Sequence, residues 1–334
     1  MTTNLNRRQM LSLAAGGAAV AATGVATPSS ARTRTNARIV VIGAGAGGTA
    51  LVNRLVARLE GAQITLLDPR VEHLYQPGLS LVAAGLKPAD YVVSKTTDWL
   101  PDGVTLIPEA AAAIDAEAKT VATASGEILP YDFLVLAPGL VLDHDAIEGF
   151  SLDMVGQNGI GALYAGPQYA AATWQAAQKF TQEGGVGLFT RPETEMKCAG
   201  APLKHTFLID DIARTAGTRG KSEFVYAAPQ GSLFGVPIVA EKVRMLFGDR
   251  GIETRMNHTL KSIDAGAKRA TFADAQGGTV DMDYDYLHVI PPQRAPDVIR
   301  QSGLSWADKW TDQGWVECDT ATLRHLRHDD IWAL

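Results

Sequence analysis

The chain has 334 residues, enough for two domains with a core each. Its 46% hydrophobic and 20% charged residues are the balance of a soluble globular protein. A formal net charge of −6 excludes the basic footprint of a nucleic-acid binder, two cysteines are too few for a disulfide framework, and seven histidines without ligand spacing give no metal site.

At the N-terminus Arg7-Arg8 precede an apolar run, Leu11 to Ala26, and the small residues Ser29-Ser30-Ala31. A charged start, an apolar middle and a small-residue end describe an export signal over residues 1–31. The arginine pair resembles a twin-arginine signal, which implies a periplasmic protein. The run is too short and too rich in small residues to span a bilayer, which takes about 20 apolar residues.

Next comes Arg38-Ile39-Val40-Val41-Ile42, a continuous apolar run that reads as a buried parallel strand. It leads into Gly43-Ala44-Gly45-Ala46-Gly47-Gly48, a helical pattern from Thr49 to Leu59, and a second strand, Gln63 to Leu67. Asp68 closes that strand, 20 residues after Gly48. Strand, GxGxxG, helix, strand and acid together form a dinucleotide site. Gly43 permits the tight turn, Gly45 admits a pyrophosphate to the helix N-terminus, and Gly48 lets helix and strand pack closely. Asp68 is the expected partner of an adenosine ribose.

A strand at Val104–Ile107 ends near Ala110, and a hairpin segment runs from Lys119 to Leu129. Tyr131 to Gly139 then resembles the strand that closes the FAD domain of flavoproteins built from two dinucleotide domains, with Pro138 where that strand usually has Thr. This resemblance implies FAD. Its AMP half falls on Gly43, Gly45, Gly48 and Asp68, with Ala110 beside the adenine and Ala137, Pro138 and Gly139 at the closing turn.

The chain then repeats itself. Ile114 to Lys119 recurs as Ile263 to Lys268, 149 residues later, and Tyr131 to Leu134 recurs as Tyr284 to Leu287, 153 residues later. Repeats at that spacing predict two similar domains. The second copy of the first strand is Gly185–Thr190, but no glycine loop follows it. Arg191 to Lys197 carries a proline and two acids, Glu193 and Glu195, which repel a pyrophosphate. Cys198 stands there instead, ahead of a helical pattern from Pro202 to Arg214. A helix N-terminus with Lys197 and Lys204 nearby favours a thiolate, a nucleophile and electron donor. Lys204 and His205 read as helix surface, and His325 with His328 as a solvated patch on one helix face.

The stretch Met196 to Lys204 resembles that of the sulfide:quinone oxidoreductases and of the flavoprotein subunit of flavocytochrome c sulfide dehydrogenase. Tyr75-Gln76-Pro77-Gly78, Asn158 to Gly161, Tyr164 to Pro167 and Phe234 to Pro237 resemble further family segments, so the likeness runs from about Arg38 to the C-terminus. It implies Cys198 as the flavin-proximal catalytic cysteine, Gln76 and Pro77 beside the flavin, sulfide as substrate and quinone or cytochrome c as electron acceptor. It also implies peripheral membrane contact through a segment beyond this sequence. In the family a Gly-Asp pair that holds the flavin and the partner redox cysteine lie past the stretch ending at Leu334. This chain is therefore expected to bind FAD weakly and to turn over poorly or not at all. Cys318, in Trp315–Asp319, reads as a strand residue.

The expected fold is α/β with two Rossmann-like dinucleotide-binding domains. Residues 37–150 begin the FAD domain, 151–290 form the second, redox-cysteine domain, and 291–334 return to the first. Alternatives are a type II NADH dehydrogenase-like flavoprotein, against which the Arg191–Lys197 loop argues, and a non-catalytic remnant.

Overall fold

The computed structural model describes residues 32–334, so the expected signal over residues 1–31 lies outside the described residues. In chain order the first half contains β1 (Arg38–Ile42), α1 (Ala46–Arg58), β2 (Gln63–Leu67), β3 (Val104–Ile107) and β4 (Phe133–Leu136). The second half contains β5 (Ile160–Gly161), α2 (Pro167–Glu183), β6 (Gly185–Thr190), α3 (Ala201–Thr215), β7 (Ser222–Ala228), α4 (Pro237–Arg250), β8 (Ile252–Met256) and β9 (Tyr286–His288). The chain then returns, and β10 (Ile331–Ala333) joins the first sheet.

Both sheets are five-stranded and parallel, in the orders β10-β4-β1-β2-β3 and β5-β9-β6-β7-β8. Parallel strands buried on both faces need continuous apolar runs. β1 meets this requirement: Val40 and Ile42 pack into one core with Leu67, Leu134 and Leu136, while Ile39 and Val41 pack into another with Val52, Leu66 and Val135. The second domain is centred on aromatic rings, with Phe189 stacked on Phe224 at 5.4 Å and Phe180 on Tyr286 at 5.7 Å.

The repeat seen in the sequence is a repeat of structure. Each domain carries a three-stranded antiparallel meander, over Ala111–Pro130 in one and Thr259–Asp283 in the other. Both first hairpins turn on an aspartate that accepts the N–H three residues on, Asp115 from Ala118 and Asp264 from Ala267. Both turns contain a lysine in the left-handed region, Lys119 (φ 55°) and Lys268 (φ 52°). Each copy then uses one aspartate to fasten its first strand: Asp132 accepts from the Arg38 N–H, and Asp285 from the Val186 N–H.

Three expectations change. Trp315–Asp319 is not a strand, since Val316 and Cys318 make only isolated bridges, to Ser305 and His325. His325 is not part of a solvated helical patch: it is buried, outside any helix, and its Nε2 lies 3.1 Å from the Leu304 carbonyl. His205 is fully buried rather than on the helix surface, because it shares the inward stripe of α3 with Ala201, Ile209 and Ala213. Among the described residues no helix is long and apolar enough to cross a membrane, and no group of His, Cys, Asp or Glu is arranged to hold a metal ion.

The outer end of α3 is fixed by one carboxylate. Asp210, fully buried, accepts from Arg214 Nε (2.8 Å), Arg219 Nε (2.5 Å) and Arg250 Nη1 (2.7 Å). Burial works to raise its pKa, but the three guanidinium partners hold it below the usual carboxylate range. Asp210→Asn leaves Arg214 and Arg219 without their countercharge, and Arg250 with only Asp211 at 3.7 Å, and is expected to cost about 3 kcal/mol in a urea unfolding titration at pH 7. Because the folded-state pKa is depressed, this contribution is complete above the unfolded value of about 3.9 and disappears as pH falls through the folded value. The gap between wild type and variant should therefore narrow in titrations run toward pH 3.

Candidate functional site

Two clefts meet at the turn between β1 and α1. Gly43, Asp68, Ala110 and Pro138 line one, of about 310 Å³, together with Pro69 and Asp297. Gly45, Ala46, His73, Tyr75, Gln76 and Pro77 line the other, of about 330 Å³. Arg70 lines both. The glycines between them have separate jobs. A Cβ on Gly43 (φ 103°) would stand 2.1 Å from the Ala137 oxygen, and one on Gly48 would stand 1.8 Å from the Gly43 oxygen. A Cβ on Gly45 would meet only Arg70 Nη2, at 3.8 Å. Gly43 and Gly48 therefore allow the backbone to fold, while Gly45 keeps the mouth of the cleft open. Ala137 donates its N–H to the Ile42 carbonyl, which ties β4 to the same turn, and Gly139 turns away with φ 73°.

The electrostatics suit an anionic occupant. α1 has no side-chain cap and no acid in its first turn, so the N–H groups of that turn and the positive end of the helix are left for another partner. Asp68 is buried and accepts from the Ala44 N–H (2.6 Å), the Arg70 N–H (2.9 Å) and the Arg70 guanidinium (2.6 and 2.9 Å). Its burial acts to raise its pKa, but these hydrogen bonds hold it below the usual carboxylate range. Lys197 approaches from the second domain, and its pKa is depressed first by burial and then by the charge of Arg70. Arg70 in the lining, Lys197 bonded to the wall at Gln76 and an uncapped helix N-terminus, set against the one acid Glu72 in the same lining, fit the two phosphates of a dinucleotide.

The loop between β6 and α3 reaches that cleft. Lys197 Nζ donates to Gln76 Oε1 at 2.6 Å, and Lys204 Nζ donates to the Pro77 carbonyl at 3.1 Å. Behind the loop, the buried Gln293 accepts from the Lys197 N–H (2.9 Å), and its own N–H donates to Thr194 Oγ1 (2.8 Å). Cys198 lies between these anchors, exposed, with φ 54°. A left-handed conformation costs a non-glycine residue roughly 1–3 kcal/mol and persists only where its surroundings impose it. Here Ala201 donates its N–H to the Cys198 carbonyl, closing the turn into α3. Glu193 is bound to Lys261 at 2.9 Å. Cys318 is a free thiol in the returning segment, not bonded to Cys198, and burial pushes its pKa up, with Asp319 adding to the shift.

Arg70, Gln293 and the Lys197–Gln76 contact were not read from the sequence. Only Arg70 carried a local signal, as a cation two residues after the strand-end acid.

Comparison with known proteins gives a consistent picture. Residues 37–185 match the family model described as pyridine nucleotide-disulphide oxidoreductase. The chain is 32% identical over 302 residues to the mitochondrial sulfide:quinone oxidoreductase of Mus musculus, covering 89% of this chain and 64% of the relative. The mitochondrial sulfide:quinone oxidoreductase of Dictyostelium discoideum is 32% identical over 298 residues, with the same 89% and 64% coverage. The chain thus spans just under two thirds of these relatives. The structure of the sulfide:quinone oxidoreductase from Aquifex aeolicus superposes with a TM-score of 0.71 at 22% identity, covering 89% of this chain and 68% of that one, which supports the fold.

The glycine geometry separates folding from ligand approach. Gly48→Ala places a Cβ against backbone and is expected to destabilise the protein by about 3 kcal/mol, measured as a lower urea midpoint. Gly45→Ala should leave that midpoint unchanged or raise it slightly. The same Gly45 variant should lose most of its FAD in equilibrium dialysis, because the added methyl obstructs the pyrophosphate.

Proposed function

We propose that the chain, which is similar to the sulfide:quinone oxidoreductases, oxidises sulfide at Cys198 and passes the electrons through FAD to a quinone. The observation that carries this reading is the attachment of the cysteine loop to the first domain by Lys197–Gln76 and Lys204–Pro77. That attachment brings a thiol to the edge of the dinucleotide cleft. Bound FAD supplies a two-electron acceptor there.

The chain's own residues do the rest. The turn at Gly43–Gly48 and the N-terminus of α1 bind the pyrophosphate, with Arg70 and Lys197 as countercharges. Asp68, already fixed by Arg70 and Ala44, closes the strand end at the ribose side. Gln76 and Pro77 shape the wall between cofactor and cysteine. Cys198, as thiolate, would join the substrate sulfur in an S–S bond only as two electrons pass to bound FAD, with the S–H bond broken and its proton released to solvent. Overall, hydrosulfide gives up two electrons and one proton and leaves as zero-valent sulfur, and the quinone takes up the electron pair.

Two finer points belong to the same proposal. Quinone rather than cytochrome c is the acceptor, in line with the names of the relatives. Residues 1–31 direct export to the periplasm, on the strength of Arg7-Arg8 and the apolar run that follows. The NADH dehydrogenase-like alternative is disfavoured because Glu193 and Glu195 stand where a second dinucleotide's phosphates would sit, and Glu193 is held by Lys261.

The test is Cys198→Ser in FAD-loaded protein. Sulfide-dependent loss of visible flavin absorbance, followed anaerobically by stopped flow, is expected to slow by at least about a thousandfold. A variant that keeps the wild-type rate overturns the role of Cys198.

A further inference from the structure

One arginine of the second domain is buried without a partner. Arg191, the residue after β6, is only 9% exposed, and its Nε is shielded from solvent with no hydrogen-bond partner within the chain. No acid pairs with it among the described residues: Glu193 is bound to Lys261 at 2.9 Å, and Glu195 is exposed. A buried cation without a countercharge destabilises a fold strongly, so this one calls for an explanation.

The strand ladder places that charge. Arg191 donates its N–H to the Ala227 carbonyl at 3.2 Å, so it continues the parallel pairing of β6 with β7 one step past Thr190 and Ala227. Side chains two residues apart on a strand share a face, which sets Arg191 on the face of Phe189. Phe189 stands opposite Tyr226 of β7 and His288 of β9. α3 covers this face, with the His205 ring 6.0 Å from that of Phe189. Tyr226 Oη, both ring nitrogens of His288 and His205 Nδ1 are also buried and unpartnered. Burial holds both histidines neutral, so Arg191 carries the charge of the group. Gln230 Nε2 donates to the Pro192 carbonyl at 3.0 Å and fixes the backbone beside Arg191. The place is the carboxyl end of the central strand of the second sheet, the end at which parallel sheets receive their ligands.

We propose that Arg191 anchors a small inorganic oxyanion, of the size and charge of sulfate or phosphate, beneath the N-terminal half of α3, with Tyr226 Oη as a second donor. A guanidinium presents its N–H groups in a fork that matches two oxygens of such an anion. Burial pushes the Tyr226 phenol up, so its hydroxyl stays a donor. The acids that repel a dinucleotide do not stand in the way, since Glu193 is turned to Lys261 and Glu195 to solvent. Arg191 also begins the loop that carries Cys198, so the anion fastens that loop at its root. The site is separate from Cys198 and from the dinucleotide cleft, and the inference does not depend on the proposed function.

The test is equilibrium dialysis of the full chain against labelled sulfate and, in a second arm, labelled phosphate, at fixed ionic strength and with FAD in excess to fill the dinucleotide cleft. Wild type should take up one oxyanion per chain more than Arg191→Met, which keeps the apolar stem and should bind at least about thirtyfold more weakly. The anion that binds more tightly is the occupant. Tyr226→Phe should bind about tenfold more weakly than wild type. In chloride alone Arg191→Met should melt no lower than wild type, because the lost charge has no partner in the chain. The oxyanion at about a hundred times its Kd should raise the melting temperature of wild type by about 5 °C and leave that of the variant unchanged. Equal uptake by wild type and Arg191→Met, wild-type affinity in Tyr226→Phe, or a lower melting temperature of Arg191→Met in chloride overturns the proposal. Sulfide oxidation by a chain that binds neither anion would leave the proposed function standing while this inference falls.

Discussion

The hydrogen bond from Lys197 to Gln76 is the contact on which the site depends. It joins a loop of one domain to a turn of the other, next to a strained cysteine. Together with Lys204 on the Pro77 carbonyl, it ties the cysteine loop of the second domain to the cleft of the first. Gln293 reinforces the contact from behind by holding the same lysine through its backbone. A hydrogen bond that includes a charged group is worth about 1.5–3 kcal/mol, which is comparable to the cost of holding Cys198 in the left-handed region.

The duplicated architecture explains how this arrangement is possible. Both domains end their first strand at a turn into a helix, β1 into α1 and β6 into α3. In the first copy glycines fill that turn, and the helix N-terminus is left open to an anion. In the second copy the turn is ten residues long, from Arg191 to Gly200, and reaches the first domain's cleft at Gln76. A parallel-sheet domain places its functional groups beyond the carboxyl ends of its strands. Here the two ends meet where Lys197 and Lys204 of one domain bond Gln76 and Pro77 on the cleft of the other.

Much of this was legible in the sequence, for identifiable reasons. Residues 39–42 announce a buried parallel strand through unbroken apolar character, and Gly43 and Gly48 announce the turn because only glycine fits there, while Gly45 completes the spacing and leaves the cleft open. The repeat was visible because Asp115 and Asp264 each close a local turn on the N–H three residues on, and Asp132 and Asp285 recur in the same order after it, each fastening its domain's first strand. What was missed depends on distance along the chain. Lys197 and Gln76 are 121 residues apart, and Lys197 and Gln293 are 96 apart, so no local pattern could reveal them. His205 was misread although its signal was present, since Ala201, His205, Ile209 and Ala213 recur every four residues along α3. Trp315–Asp319 looked like a strand by composition, but this stretch pairs only at single bridges, Val316 with Ser305 and Cys318 with His325.

The central claim is that the cleft receives electrons from sulfide through a thiol and not from a second dinucleotide. Paired anaerobic titrations of the FAD-loaded protein, one with sulfide and one with NADH, test it most directly through the visible flavin bands. The account predicts that sulfide bleaches the bands with one equivalent per flavin and that NADH leaves them unchanged. Bleaching by NADH, with no response to sulfide, would contradict it.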